Sequence, residues 1–96
     1  MAKTTYADIA ALVANENKER KAEIIKDWSV DSRMNIKTGE TISKVVTLYF
    51  DGGFIYDETY IEDVKQKLNA FSFSVKVFRS KLVLIYDIST DNFEDK

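Results

Sequence analysis

The chain has 96 residues, enough for one domain with a modest core, and it contains no histidine, cysteine or proline. Those absences exclude a serine–histidine triad, thiolate nucleophiles, disulfides and zinc–sulfur sites, and leave carboxylates, lysines, tyrosines and hydroxyls for chemistry. Net charge is −2, from 14 Lys/Arg against 16 Asp/Glu, so the basic excess of a typical nucleic-acid binder is missing.

The N-terminal stretch Met1-Ala2-Lys3-Thr4-Thr5 has no apolar core of a secretory signal. The longest apolar run, Leu82-Val83-Leu84-Ile85-Tyr86, is of strand length rather than the roughly 20 residues that span a bilayer. A cytoplasmic protein with no membrane contact is therefore expected. Thr5 followed by Asp8 is a capping-box pattern, and Ile9, Leu12 and Val13 continue at helical spacing. The apolar stripe lapses from Ala14 to Glu23 and returns at Ile24, Ile25 and Trp28. Either one helix of about six turns has a solvated middle, or two short helices break near Asn15-Glu16-Asn17. Asparagine is a poor interior and a good turn residue, which favours the break.

Ser29 to Arg33 reads as a connection. Met34-Asn35-Ile36-Lys37, a turn at Thr38-Gly39-Glu40 and a long strand from Thr41 to Phe50 read as a hairpin, with Gly39 at the left-handed position. Asp51-Gly52-Gly53 is a second turn, leading to a third strand at Phe54-Ile55-Tyr56. Thr59 with Glu62 forms another capping box, and Ile61, Val64, Leu68 and Phe71 share one face of a helix over about 59–70. Ser72–Phe78, a turn at Arg79-Ser80-Lys81 and Leu82–Ile88 form a second hairpin. The near-continuous apolar character of Leu82–Ile88 suggests a strand covered on both faces, or on one by a partner chain, so a homodimer is expected. Ser89 to Lys96 reads as a flexible acidic tail. The order α(α)–βββ–α–ββ predicts a single α+β domain: a mainly antiparallel sheet of about five strands with helices on one face.

Negative charge collects late in the chain. Residues 1–45 carry eight cationic and seven anionic side chains, and residues 46–96 six and nine. The sharpest group is Asp57, Glu58, Glu62 and Asp63. Glu58 and Glu62, four apart, lie about 5–6 Å from each other on a helix. Such carboxylates can hold a hard cation, share a proton, or imitate phosphates on a basic surface. Helix capping and dipole complementation account for the same residues. In the tail, Asp87, Asp91, Glu94 and Asp95, with Phe93 among them, extend the negative character and match an interaction segment. The basic cluster Lys18, Arg20, Lys21 and Lys26, near Trp28, is the alternative site, for nucleic-acid contact, but Glu16, Glu19, Glu23 and Asp27 interleave with it. Asp51-Gly52-Gly53 lacks the following Gly-Lys-Ser/Thr of a phosphate loop.

The stretch Asn35-Ile36-Lys37-Thr38-Gly39-Glu40-Thr41-Ile42 resembles the Asn-Pro-x-Thr-Gly-Glu-x-Ile arm segment of bacterial histone-like HU proteins, and Lys3-Thr4 before a helix is similar too. It covers about ten residues and lacks the proline and the basic arm side chains; the order of elements also differs, so no DNA-binding roles transfer. As a type, the chain resembles the small host-takeover proteins of large lytic phages, some of which inhibit host DNA-binding proteins, including histone-like ones, as DNA mimics. That resemblance implies a non-enzymatic inhibitor of a host protein with a basic surface. It would use Asp57, Glu58, Glu62, Asp63, Asp87, Asp91, Glu94 and Asp95, with no cofactor, no metal and no direct contact with nucleic acid.

Overall fold

The structure, a computed structural model, describes residues 3–21, 24–51, 57–79 and 81–94. A two-residue strand, β1 (Thr4–Thr5), leads into helix α1 (Tyr6–Glu19). The predicted capping box forms in both directions. Thr5 Oγ1 accepts from the Asp8 N–H at 3.2 Å, and Asp8 Oδ2 accepts from the Thr5 N–H at 2.9 Å. Ile9 and Leu12 turn inward.

The helix does not break at Asn15-Glu16-Asn17. Glu16 is buried there, and Asn17 acts outside the helix: its Nδ2 donates to the Ile25 carbonyl (3.2 Å) and its Oδ1 accepts from the Ile25 N–H (2.9 Å). The asparagine amide thus satisfies the backbone of a neighbouring strand instead of its own turn. The helix ends at its cap Arg20, with Lys21 at φ 53°.

The second helix expected around Ile24, Ile25 and Trp28 is instead strand β2 (Ile25–Met34), which also absorbs the expected connection Ser29–Arg33. A bulge between Ile25 and Asp27 explains the misreading. The inserted residue puts Ile25 and Trp28 on the same side of the sheet although they are three apart. That spacing belongs to a helix in a regular pattern. Strand β3 (Thr41–Phe50) pairs antiparallel with β2 through the predicted Gly39 turn. Gly39 has φ +74°, and an added Cβ would meet nothing within 4 Å, so backbone conformation rather than space selects glycine. The turn begins earlier than expected, because the Asn35 carbonyl accepts from the Gly39 N–H (2.7 Å) and the Asn35 N–H donates to the Glu40 carbonyl (2.8 Å). Gly52-Gly53 and the expected third strand Phe54–Tyr56 lie outside the described residues.

Helix α2 (Glu58–Lys67) starts one residue before the expected span, because Asp57 rather than Thr59 is its cap: Asp57 Oδ1 accepts from the Thr59 N–H at 2.9 Å. Ile61, Val64 and Leu68 are buried as predicted, but Phe71 is 58% exposed. The helix has ended by Leu68, and Asn69 at φ 58° turns the chain away before Phe71. Strands β4 (Ser72–Phe78) and β5 (Lys81–Ser89) form the expected final hairpin.

The main sheet has the order β2–β3–β5–β4, every neighbour antiparallel. Both helices contribute to one core with Val46, Leu48 and Phe50 of β3 and Leu82, Leu84, Tyr86 and Ile88 of β5. The buried Tyr86 hydroxyl donates to the Ile61 carbonyl at 2.9 Å, tying β5 to α2. The fold class is α+β as predicted, with a four-stranded main sheet rather than five strands.

The expected flexible tail is corrected for residues 89–94. Thr90–Asn92 form a 3-10 turn, and β6 (Phe93–Glu94) pairs parallel with β1. Phe93 is only 6% exposed and meets the Tyr6 ring edge-on at 5.4 Å. Burial of one aromatic, with a strand pair, orders what composition alone reads as a solvated terminus.

Candidate acidic docking surface

Because Ile61, Val64 and Leu68 turn α2 inward, its other side presents carboxylates. Glu58, Glu62 and Asp63, with Thr59 and Gln66, line one shallow depression. Asp57 is spent as the helix cap. Lys67, in the last turn of the same helix, is 3.1 Å from Asp63 and 3.4 Å from the buried Glu16 of α1. The hydrogen bond that Lys67 donates to Asp63 raises the Lys67 pKa most; burial opposes it next in weight, and the Glu16 charge adds a smaller rise. Lys67 also borders a second depression, lined by Asp8, Glu16 and Glu19 of α1 with Lys3, Asn15 and Asn69. One lysine thus joins two acidic segments that lie 51 residues apart in sequence at the Glu16–Lys67 contact.

Tyr60 lies beneath this surface. Burial pushes its phenol pKa up, and the Glu16, Asp63 and Glu19 charges add to the rise, while Arg20, stacked 4.8 Å over the ring, opposes it. Tyr86 is raised chiefly by burial as well.

The structure does not bring the remaining predicted residues into this group. Asp87 is on the opposite side of the sheet, since its neighbours Tyr86 and Ile88 point into the core. There it accepts from Arg33 Nη2 (3.1 Å) and Nε (3.2 Å), Ser72 Oγ (3.2 Å) and Ser43 Oγ (3.4 Å). Its side chain is 13% exposed, so its surroundings are those of an internal tie. Asp91 sits in the 3-10 turn, its N–H donating to Ser89 Oγ, and Glu94 is beside Thr5 in the β1–β6 pair. Asp95 lies outside the described residues. Phe93, read as the aromatic of an interaction segment, is in the core.

Asp8, Glu16 and Glu19 were missed in the sequence because no spacing links α1 to α2. The alternative basic segment also changes. Lys18 and Arg20 are at the end of α1, Lys26 is on β2, and Trp28 packs against the core rather than standing free to stack on a base. Among the described residues no three acidic side chains converge on a point that would hold a metal ion, and no helix is long and apolar enough to cross a membrane. Comparison with family models, with curated proteins and with solved structures finds no match for this chain.

Proposed function

We propose that this chain is a non-catalytic binding protein whose acidic α1–α2 surface occupies a basic, nucleic-acid-binding surface of another protein and so inhibits it. The observation that supports this reading is the Lys67 bridge between two acidic groups, one on each helix. Glu58, Glu62 and Asp63 on α2 meet Glu16 and Glu19 of α1 across a single lysine. Carboxylates about one helical turn apart suit the lysines and arginines that would otherwise neutralise phosphates. The likeness in type to phage takeover inhibitors points to the same partner class, a host DNA-binding protein. Asp87 drops out of the docking set, and Glu19 enters it.

The test uses a histone-like protein bound to labelled duplex DNA. The chain is expected to release the DNA, with potency falling as salt rises. Glu58→Gln, Glu62→Gln and Asp63→Asn combined should abolish release with the fold intact by circular dichroism. Release unchanged by the triple substitution, or a chain that itself shifts the DNA, overturns the proposal.

A further inference from the structure

The sheet face away from the helices has no covering element among the described residues, and its cross-strand register sorts its side chains into rows. One row runs Asp27 (β2), Tyr49 (β3), Val83 (β5), Lys76 (β4). The next runs Ser29, Thr47, Ile85, Ser74, and the third Asp31, Val45, Asp87, Ser72. The middle of this face is largely apolar. Its first row has an anion at one edge and a cation at the other. Tyr49 is 41% exposed at its centre, and neither Asp27 nor Lys76 has an ion-pair partner among the described residues.

We propose that this face binds a second copy of the chain, sheet on sheet, about a two-fold axis parallel to the strands. That axis puts β2 over the partner's β4 and β3 over the partner's β5. Asp27 then faces the partner's Lys76, Lys76 faces the partner's Asp27, and Tyr49 meets the partner's Val83 twice over. Sheets stack about 10 Å apart, a gap that a lysine and an aspartate side chain close between them. The other in-plane two-fold, perpendicular to the strands, would set Asp27 against the partner's Asp31 and leave Lys76 facing serine. Charge therefore selects the parallel axis. Asp87, in the third row, is already compensated by Arg33 and does not oppose it. The face measures about 19 Å by 24 Å, or roughly 450 Å² per copy, from strand spacing and rise. A standard stable interface uses about 800 Å² per partner. The dimer is accordingly of the weak, transient class.

Sedimentation equilibrium of the full chain from about 5 to 500 µM tests this over the range in which weak association is read. The mass is expected to rise with concentration towards that of a dimer. Asp27→Lys presents a cation at both edge positions and Lys76→Asp an anion at both, so each variant alone should self-associate at least tenfold more weakly, on the order expected for like-charge contacts. An equimolar mixture of the two restores both attractive contacts in the mixed dimer and should associate as the unaltered chain does. A chain that stays monomeric throughout overturns the proposal. So does a mixture no better than its components, or association indifferent to both substitutions as β4 edge pairing would give. Asp27 Oδ1 also accepts from the Trp28 N–H at 2.8 Å, a local loss that mixing cannot repair, so recovery in the mixture isolates the intermolecular contact.

Discussion

Replacing Asp87 by alanine separates its two readings, docking carboxylate and internal tie. The side chain accepts two contacts from Arg33 and one each from Ser72 and Ser43. The Arg33 side chain is 56% exposed, so that pair contributes only about 0.5–1 kcal/mol. Each serine bond adds roughly 0.5–1 kcal/mol, below the range for a charged acceptor because both contacts are long, at 3.2 and 3.4 Å. Ser43 is 1% exposed, so its hydroxyl loses a partner in a place water does not readily reach. The expected loss is about 2 kcal/mol, of which Asp87→Asn recovers part by keeping one acceptor oxygen for one of the two serines. In a urea titration this lowers the midpoint by about 1.5 M at an m-value near 1.3 kcal/mol/M, with the slope unchanged. DNA release from a histone-like protein should be unaffected once the fraction folded is allowed for. A stability loss under about 0.5 kcal/mol combined with loss of release would refute the assignment of Asp87 to a structural tie with Arg33, Ser43 and Ser72.

Phe93→Ala removes a ring that is nearly buried and packed on Tyr6. It should cost about 3 kcal/mol, against less than about 0.5 kcal/mol for Asp91→Asn or Glu94→Gln, in the same urea titration. At alkaline pH, Tyr60 and Tyr86 set the behaviour. Both are raised above the ordinary 10.0 by burial first, Tyr60 further by Glu16 and Tyr86 by Tyr60. The unfolded chain loses these protons earlier than the folded one, so their contribution is intact below about pH 10 and declines as pH rises further. The urea midpoint should fall above about pH 10, and tyrosinate absorbance should show two of the five tyrosines titrating only as the chain unfolds.

What the sequence made legible depended on whether a local pattern was also the whole pattern. The Thr5–Asp8 box, the Gly39 turn and the Ser72–Ser89 hairpin were readable because each is closed by neighbours in sequence. β2 was not, since its bulge converts strand register into a three-residue apolar spacing that imitates a helix. α1 was misread at Asn17 for a related reason. The side chain there serves Ile25, and nothing in the helix itself announces that tether. Phe93 likewise looked like part of a solvated tail because its partner, Tyr6, is at the other end of the chain.

The candidate site divides along the same line. Glu58, Glu62 and Asp63 could be grouped in the sequence because one helix carries them, whereas Glu16 and Glu19 join them only through packing of α1 beside α2. Asp87 shows the converse. Its negative charge was visible, but its side of the sheet and its four contacts were not. A carboxylate's availability to a partner is decided by what already surrounds it. Asp57 is held by a helix cap and Asp87 by arginine and two serines. Asp63 shares a half-exposed lysine with Glu16, and that lysine can turn to solvent when a basic surface arrives. Acidic residues that are equivalent in composition therefore differ by how much existing structure their engagement would break, and on that measure the proposed α1–α2 docking would disturb less than engagement of Asp57 or Asp87.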